Sequence, residues 1–138
     1  MKILLDSNVL IAAFATRGFC HTLFEQCIYR HEVVSSREIL VEVAKNLKKK
    51  LKLPQNLVEE IISYIEESTT IIIPQPLNQK PCRDPNDVHV LNLALTAACD
   101  YIVTGDEDLL TLKEVEDIPI VSPRTFWPIL RSSVTIER

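Results

Sequence analysis

The chain has 138 residues, of which 46% are hydrophobic and 25% are charged, and its formal net charge at pH 7 is −4. This length suits one compact domain with a real core, and the composition is ordinary for a globular protein. The negative charge argues against a protein that binds nucleic acid by charge alone. The apolar runs are too short to span a bilayer or to form an export signal, so we expect a cytoplasmic protein with no membrane partner.

Short apolar runs alternate with amphipathic stretches along the chain. The strand candidates are Lys2–Leu5, Glu32–Ser35, Thr70–Ile73, Tyr101–Thr104 and Ile118–Val121. The helix candidates are Asn8–Ala15, Phe19–Tyr29, Arg37–Leu51, Pro54–Glu67, Pro85–Ala98 and Arg124–Leu130. Most of the strand runs lack polar alternation, which is typical of strands covered on both faces. The order therefore predicts an α/β fold with three layers, α/β/α, around a parallel sheet of about five strands. We expect a single domain over residues 1–131 and a C-terminal tail over residues 132–138.

Carboxylates stand where predicted strands end and helices begin. Asp6 follows the first strand, and Asp106 and Asp108 follow the fourth, while Asp84 and Asp87 surround the start of the fifth long helix. Ligands of open parallel sheets bind outside the carboxyl ends of the strands, so these distant acids are expected to converge. Clustered carboxylates repel one another unless a cation lies among them. The pattern predicts a site for Mg²⁺ or Mn²⁺, since hard oxygen ligands select these ions.

Helix capping is the structural alternative for several of these acids. It explains Asp6 as well as a ligand role does, and it is a strong explanation of Asp84, which precedes Pro85. Asp87 is the better ligand candidate of that pair, because a carboxylate at the third helical position can face the space above the sheet. Asp106 and Asp108 favour a ligand role, since a capped turn needs only one acid.

Other polar residues are candidates for supporting roles. Ser7 and Asn8 lie near the same strand end as Asp6 and could hydrogen-bond its carboxylate, and Thr104 could fix a carboxylate or a phosphate. Glu42 borders the apolar arc of its helix, so it could either reach toward the other acids or remain solvated. The predicted helix Arg37–Leu51 carries a run of lysines, and such a run usually marks a solvated helix face. Lys45 and Lys49 of that run could instead receive a phosphate backbone, and so could Arg17 and Arg83.

Four segments together resemble the PIN domain family, in particular the PIN-type ribonuclease toxins of prokaryotic toxin–antitoxin pairs. The segments are Leu4–Leu10, Ser36–Val43, Arg83–Asp87 and Tyr101–Leu110. Each segment alone is weak, but their order and spacing extend over the chain from Met1 to about Trp127.

The resemblance implies a sheet of order 3-2-1-4-5 and a metal-dependent endoribonuclease with Mg²⁺ or Mn²⁺ as cofactor. It implies a catalytic site of Asp6, Glu42, Asp87 and Asp106, with Asp108 often included among the metal ligands. Asp84 matches an acid of lesser importance in this group. The implied partners are an RNA substrate and a small antitoxin protein, and a homodimer stays open.

Two alternatives remain beside the toxin. The chain could be a PIN-fold module that binds nucleic acid or protein without catalysis, or an RNA-processing nuclease that is not a toxin. Phosphotransfer through an aspartyl phosphate at Asp6 fits poorly, because sites of the haloacid dehalogenase type require a second aspartate where this chain has Asn8.

Overall fold

The computed structural model describes residues 1–76 and 85–136, with side chains described as far as Ser132 in the last helix. Within these residues the chain forms six strands and seven helices. The strands are β1 (Lys2–Leu5), β2 (Glu32–Ser35), β3 (Thr70–Ile71), β4 (Tyr101–Val103), β5 (Glu114–Val115) and β6 (Ile118–Val121). The helices are α1 (Ser7–Ala15), α2 (Phe19–Arg30), α3 (Arg37–Lys49), α4 (Gln55–Ser68), α5 (Pro85–Ala97), α6 (Glu107–Leu112) and α7 (Pro123–Ile136).

The strands form one sheet of order β3-β2-β1-β4-β6-β5. All neighbours pair in parallel except β5 and β6, which are antiparallel. Leu4 of β1 is aligned with Val34 on one side and with Ile102 on the other, so β1 occupies the middle of the sheet. The predicted order 3-2-1-4-5 is confirmed, with β6 as the predicted fifth strand.

Helices cover both faces of this sheet. Ile3, Leu4 and Leu5 have no exposed surface, although consecutive residues of a strand point to opposite faces. A strand buried in this way requires packed layers above and below it, so the structure has the predicted three-layer arrangement. No helix in the described ranges combines the length and the apolar character needed to cross a membrane.

Strand β5 was not predicted from the sequence. It forms a hairpin with β6 through a two-residue turn, in which Glu116 has a φ of 43° and Asp117 a φ of 72°. Two positive φ angles in a two-residue hairpin loop define a type I′ turn, for which Asn-Gly is the usual sequence. The pair Glu-Asp carries no such signal, which is why the hairpin escaped prediction.

Several predicted boundaries also differ from the structure by one or more residues, among them those of β3 and α7. Strand β3 contains only Thr70 and Ile71, whereas the prediction extended to Ile73, which is 85% exposed. Helix α7 continues to Ile136 instead of ending at Leu130, so residues 132–136 of the predicted tail are helical. The prediction ended that helix where the apolar repeat fades, and a loss of apolar pattern does not by itself terminate backbone hydrogen bonding.

Candidate active site

The carboxyl ends of β1 and β4 lie side by side and bring two distant parts of the sequence together. The backbone N–H of Asp6 donates to the carbonyl of Val103 over 3.0 Å. This bond continues the parallel ladder one residue beyond β1, so that Asp6 stands next to Thr104. Both residues are buried, Asp6 at 6% and Thr104 at 0% relative exposure.

The carboxylate of Asp6 accepts three hydrogen bonds. Its Oδ1 accepts from the backbone N–H of Ser7 over 2.8 Å, which is the capping bond of α1. Its Oδ2 accepts from the Thr104 hydroxyl over 2.7 Å and from the Asn8 amide over 3.1 Å. Asp6 is therefore a helix cap, as the structural alternative predicted, and it also belongs to a network that capping does not require.

The charge of Asp6 is held in an unfavourable environment. Burial is the main cause that raises the pKa of its carboxyl, and the nearby charges of Glu42 and Asp106 raise it further. The hydrogen bonds from Thr104 and Ser7 act in the opposite direction without cancelling these effects. A cation beside Asp6 would relieve this cost.

Thr104 and Asn8 tie Asp6 to the loop that carries Asp106. The Thr104 hydroxyl accepts from the backbone N–H of Asp106 over 3.0 Å, and Asn8 Oδ1 accepts from the N–H of Gly105 over 2.9 Å. Asp106 then caps α6 by accepting from the N–H of Asp108 over 3.0 Å. The predicted supporting residues Asn8 and Thr104 thus fix the two loops relative to each other.

Three carboxylates form a tight cluster beside this network. Each of Asp87, Asp106 and Asp108 has an oxygen within 4.8 Å of an oxygen of the other two. Asp87 is buried at 5% exposure in the first turn of α5, whereas Asp106 is half-buried and Asp108 is exposed. Oxygen donors at this spacing suit a hard divalent cation.

The acids surround one opening, which we call the acidic cleft. It has a volume of about 350 Å³ and lies between the starts of α1 and α5 and the middle of α3. Its lining includes Asp6, Glu42, Asp87 and Asp106. Glu42 lines the same opening as the other acids, and its part in the site stays a prediction.

A second opening, the lysine cavity, adjoins the acidic cleft. It has a volume of about 620 Å³, and Lys45 and Lys49 line it together with Lys50. Arg17 lies in the link between α1 and α2 and lines neither opening. Arg83 and Asp84 lie outside the described residues, so their predicted roles stay predictions.

Sequence reasoning missed several residues that line these openings. Asn46 follows Glu42 by four residues and lines the acidic cleft with it, so helical spacing could have found it. Lys50, four residues further and part of the predicted basic run, lines the cleft as well. Asn86 precedes Asp87 and lines both openings. His89 lines the lysine cavity, and its Nε2 lies 2.8 Å from the hydroxyl of Ser36.

Comparisons with known proteins identify the family of this chain. A search of curated proteins finds no match. Among solved structures, the chain is similar to VapBC2 from Rickettsia felis bound to a DNA fragment from their promoter, with a TM-score of 0.66 and 15% sequence identity. That match covers 88% of this chain and 98% of the other, and at this identity it shows a common fold.

The sequence model of the PIN domain matches residues 2–108, which is more than two thirds of the chain. The chain therefore belongs to the PIN domain family of nucleases.

Proposed function

We propose that this protein is a metal-dependent endoribonuclease that acts as the toxin of a toxin–antitoxin pair. The observation that carries the proposal is the convergence of Asp6, Glu42, Asp87 and Asp106 on the acidic cleft. These acids come from four separate segments, and local helix capping does not require them to meet. Membership of a nuclease family supports the same conclusion.

The donor set fits Mg²⁺ or Mn²⁺. Asp87, Asp106 and Asp108 would hold the ion, since their oxygens lie within 4.8 Å of one another. Asp6 would contribute through Oδ1, which accepts one hydrogen bond, because Oδ2 already accepts two. When bound, such an ion polarises a phosphodiester and lowers the pKa of a coordinated water.

The residues of the cleft would have separate tasks in hydrolysis. Glu42, the acid contributed by α3, would orient the attacking water by accepting a hydrogen bond from it. Lys50, the lysine of the acidic cleft, would face the negative charge that develops on the phosphate. Thr104 and Asn8 would keep Asp6 and the Asp106 loop in register through the hydrogen bonds described above.

The proposed reaction is a displacement at phosphorus. The oxygen of a water molecule bonds to the phosphorus, and the bond from phosphorus to the leaving 3′ oxygen breaks. One proton of the water goes to the cleft's carboxylates, and the 3′ oxygen takes up a proton from solvent. The products are a 5′-phosphate and a 3′-hydroxyl, and no oxidant or reductant is needed.

Cleavage of a short single-stranded RNA tests the activity. We expect the wild type to cleave it with Mn²⁺ and not with excess chelator. Asp87→Asn should lower the rate by about 100-fold or more, because it removes a ligand and a charge from the buried side of the cluster. Glu107→Gln is the matched control, since Glu107 is an exposed acid between Asp106 and Asp108 that is not part of the cluster. Equal rates for wild type and Asp87→Asn would contradict the proposal.

The toxin role has its own test. The common fold with VapBC2 supports this role and the expectation of a small antitoxin protein as partner. Induced expression of the wild-type chain in a bacterial host should arrest growth, whereas Asp6→Asn at the same protein level should not. Normal growth with an active wild-type enzyme would favour an RNA-processing nuclease instead.

A further inference from the structure

The lysine cavity and the acidic cleft are adjacent openings with a shared wall. They share four lining residues, which come from α3, from its C-cap and from the start of α5, namely Glu42, Asn46, Lys50 and Asn86. A ligand in the acidic cleft therefore lies next to the lysine cavity, across a wall that both openings share.

The two parts differ in charge. The described residues around the acidic cleft include four acids and one lysine, Lys50. Those around the lysine cavity include three lysines and two acids, Glu38 and Glu42, of which Glu42 also faces the cleft. A polyanion whose reacting phosphate lies in the cleft would thus find its favourable charges in the lysine cavity, although the whole chain carries a net charge of −4.

Two rows of side chains on α3 explain this division. Glu42, Asn46 and Lys50 form the row that borders both openings. The neighbouring row contains Val41, Lys45 and Lys49, and all three line the lysine cavity. Residues four apart lie on one side of a helix and are separated by about 6 Å along its axis.

The row in the lysine cavity combines charge with apolar surface. Val41 is 67% exposed, which is unusual for a large apolar side chain in the middle of an amphipathic helix. Ile39 and Val90 extend the apolar lining inward, where both are buried. Apolar surface next to lysines suits a ligand that has a flat apolar part and a charged part, as a nucleotide does.

We propose that the lysine cavity is a substrate subsite that holds the nucleotide next to the scissile phosphate. Lys45 and Lys49 bind its phosphate groups, and Val41 contacts its base or sugar. The volume of about 620 Å³ lies within the range of roughly 300–1,000 Å³ that is usual for small-ligand sites. The inference rests on the proposed function for the identity of the ligand, but it makes a claim about binding alone.

Equilibrium binding of a fluorescent ten-nucleotide single-stranded RNA tests the subsite. We would measure it by anisotropy in Mg²⁺ buffer on an Asp106→Asn background, and check by gel that the RNA stays intact. Lys49→Ala should weaken binding at least fivefold and reduce the slope of log K against log salt by about 0.7, the value for one phosphate contact on a single strand. Lys48→Ala is the matched control, because Lys48 is the adjacent exposed lysine and does not line the cavity.

A second variant separates the apolar contact from the charge. Val41→Ser should weaken binding while leaving the salt slope unchanged. Because Val41 is exposed, we expect the variant to fold, and a circular dichroism spectrum that matches the wild type would check this. Equal effects of Lys48→Ala and Lys49→Ala, or unchanged affinity of Val41→Ser, would overturn the subsite. Metal-dependent cleavage together with either result would leave the proposed function standing, so the two failures can be told apart.

Discussion

The hydroxyl of Thr104 donates to Oδ2 of Asp6 over 2.7 Å, although 98 positions separate the two residues in the chain. The same hydroxyl oxygen accepts from the backbone N–H of Asp106 over 3.0 Å. One buried side chain therefore holds the acid that follows β1 and positions the loop that follows β4. The two strands are neighbours in the sheet, which makes this contact a direct consequence of the strand order.

Removal of this hydroxyl gives the first prediction. Thr104→Val keeps the shape of the side chain, but it leaves Asp6 with one donor fewer and the N–H of Asp106 without its acceptor. We expect a loss of about 1–3 kcal/mol in the free energy of unfolding and about 10–100-fold in RNA cleavage. Urea denaturation and cleavage rates measure the two effects.

Thr104→Ser is the control for that prediction, because it retains the hydroxyl. It should keep most of the cleavage activity, with a smaller loss of stability from the missing methyl group. Full activity in Thr104→Val would show that the hydroxyl does not position the site.

The raised pKa of Asp6 predicts a dependence of stability on pH in the presence of a chelator. Between the unfolded value of about 3.9 and the raised folded value, the folded chain binds more protons than the unfolded chain. The free energy of unfolding contributed by this group therefore falls as the pH rises through that window, and the penalty is fully present above the raised pKa. Asp6→Asn has no charge to bury and should not show this contribution.

The measurement is urea denaturation of wild type and Asp6→Asn at a series of pH values. The stability of the wild type relative to Asp6→Asn should decrease with rising pH in the window and then become constant. A relative increase instead would mean that the hydrogen bonds from Thr104 and Ser7 outweigh the burial of the charge. Saturating Mn²⁺ should remove most of the decrease, since a cation compensates the buried carboxylate.

The hairpin of β5 and β6 gives a prediction about stability alone. Glu116 and Asp117 both have positive φ angles, which cost energy for residues other than glycine and, less so, asparagine. The double substitution Glu116→Asn and Asp117→Gly supplies the usual type I′ sequence and should raise the free energy of unfolding by about 1 kcal/mol. Thermal denaturation would show it, with cleavage unchanged because the turn lines neither opening. A fall in stability would contradict the turn assignment.

Sequence reasoning predicted the sheet and the main acids because their signals are local. A buried parallel strand reads as an uninterrupted apolar run, and an acid directly after it must lie at the carboxyl end of the sheet, as Asp6 does. The same reasoning missed the Glu116 and Asp117 turn, since backbone conformation overrode residue preference there. It also left Glu42 undecided, because a helix shows from sequence which side is apolar but not which neighbour lies opposite its border.

The lysine cavity shows a different limit of the sequence. Lys45, Lys48 and Lys49 belong to one basic run, and the prediction chose Lys45 and Lys49 from it without a sequence feature that excludes Lys48. The structure separates them, since Lys45 and Lys49 line the cavity and Lys48 does not. The opening is lined by residues of α3 together with Asn86 and His89 of α5, which is a tertiary relationship that the sequence does not show.

Direct titration of the protein with Mn²⁺, followed by calorimetry, tests the central claim that the converging acids hold a divalent cation. We expect saturable binding by the wild type, with a gain in stability of about 2.7 kcal/mol when free Mn²⁺ is 100 times its dissociation constant. Asp106→Asn should lose this binding, and Glu107→Gln should keep it. Absence of binding by the wild type, or equal binding by Asp106→Asn, would contradict the account.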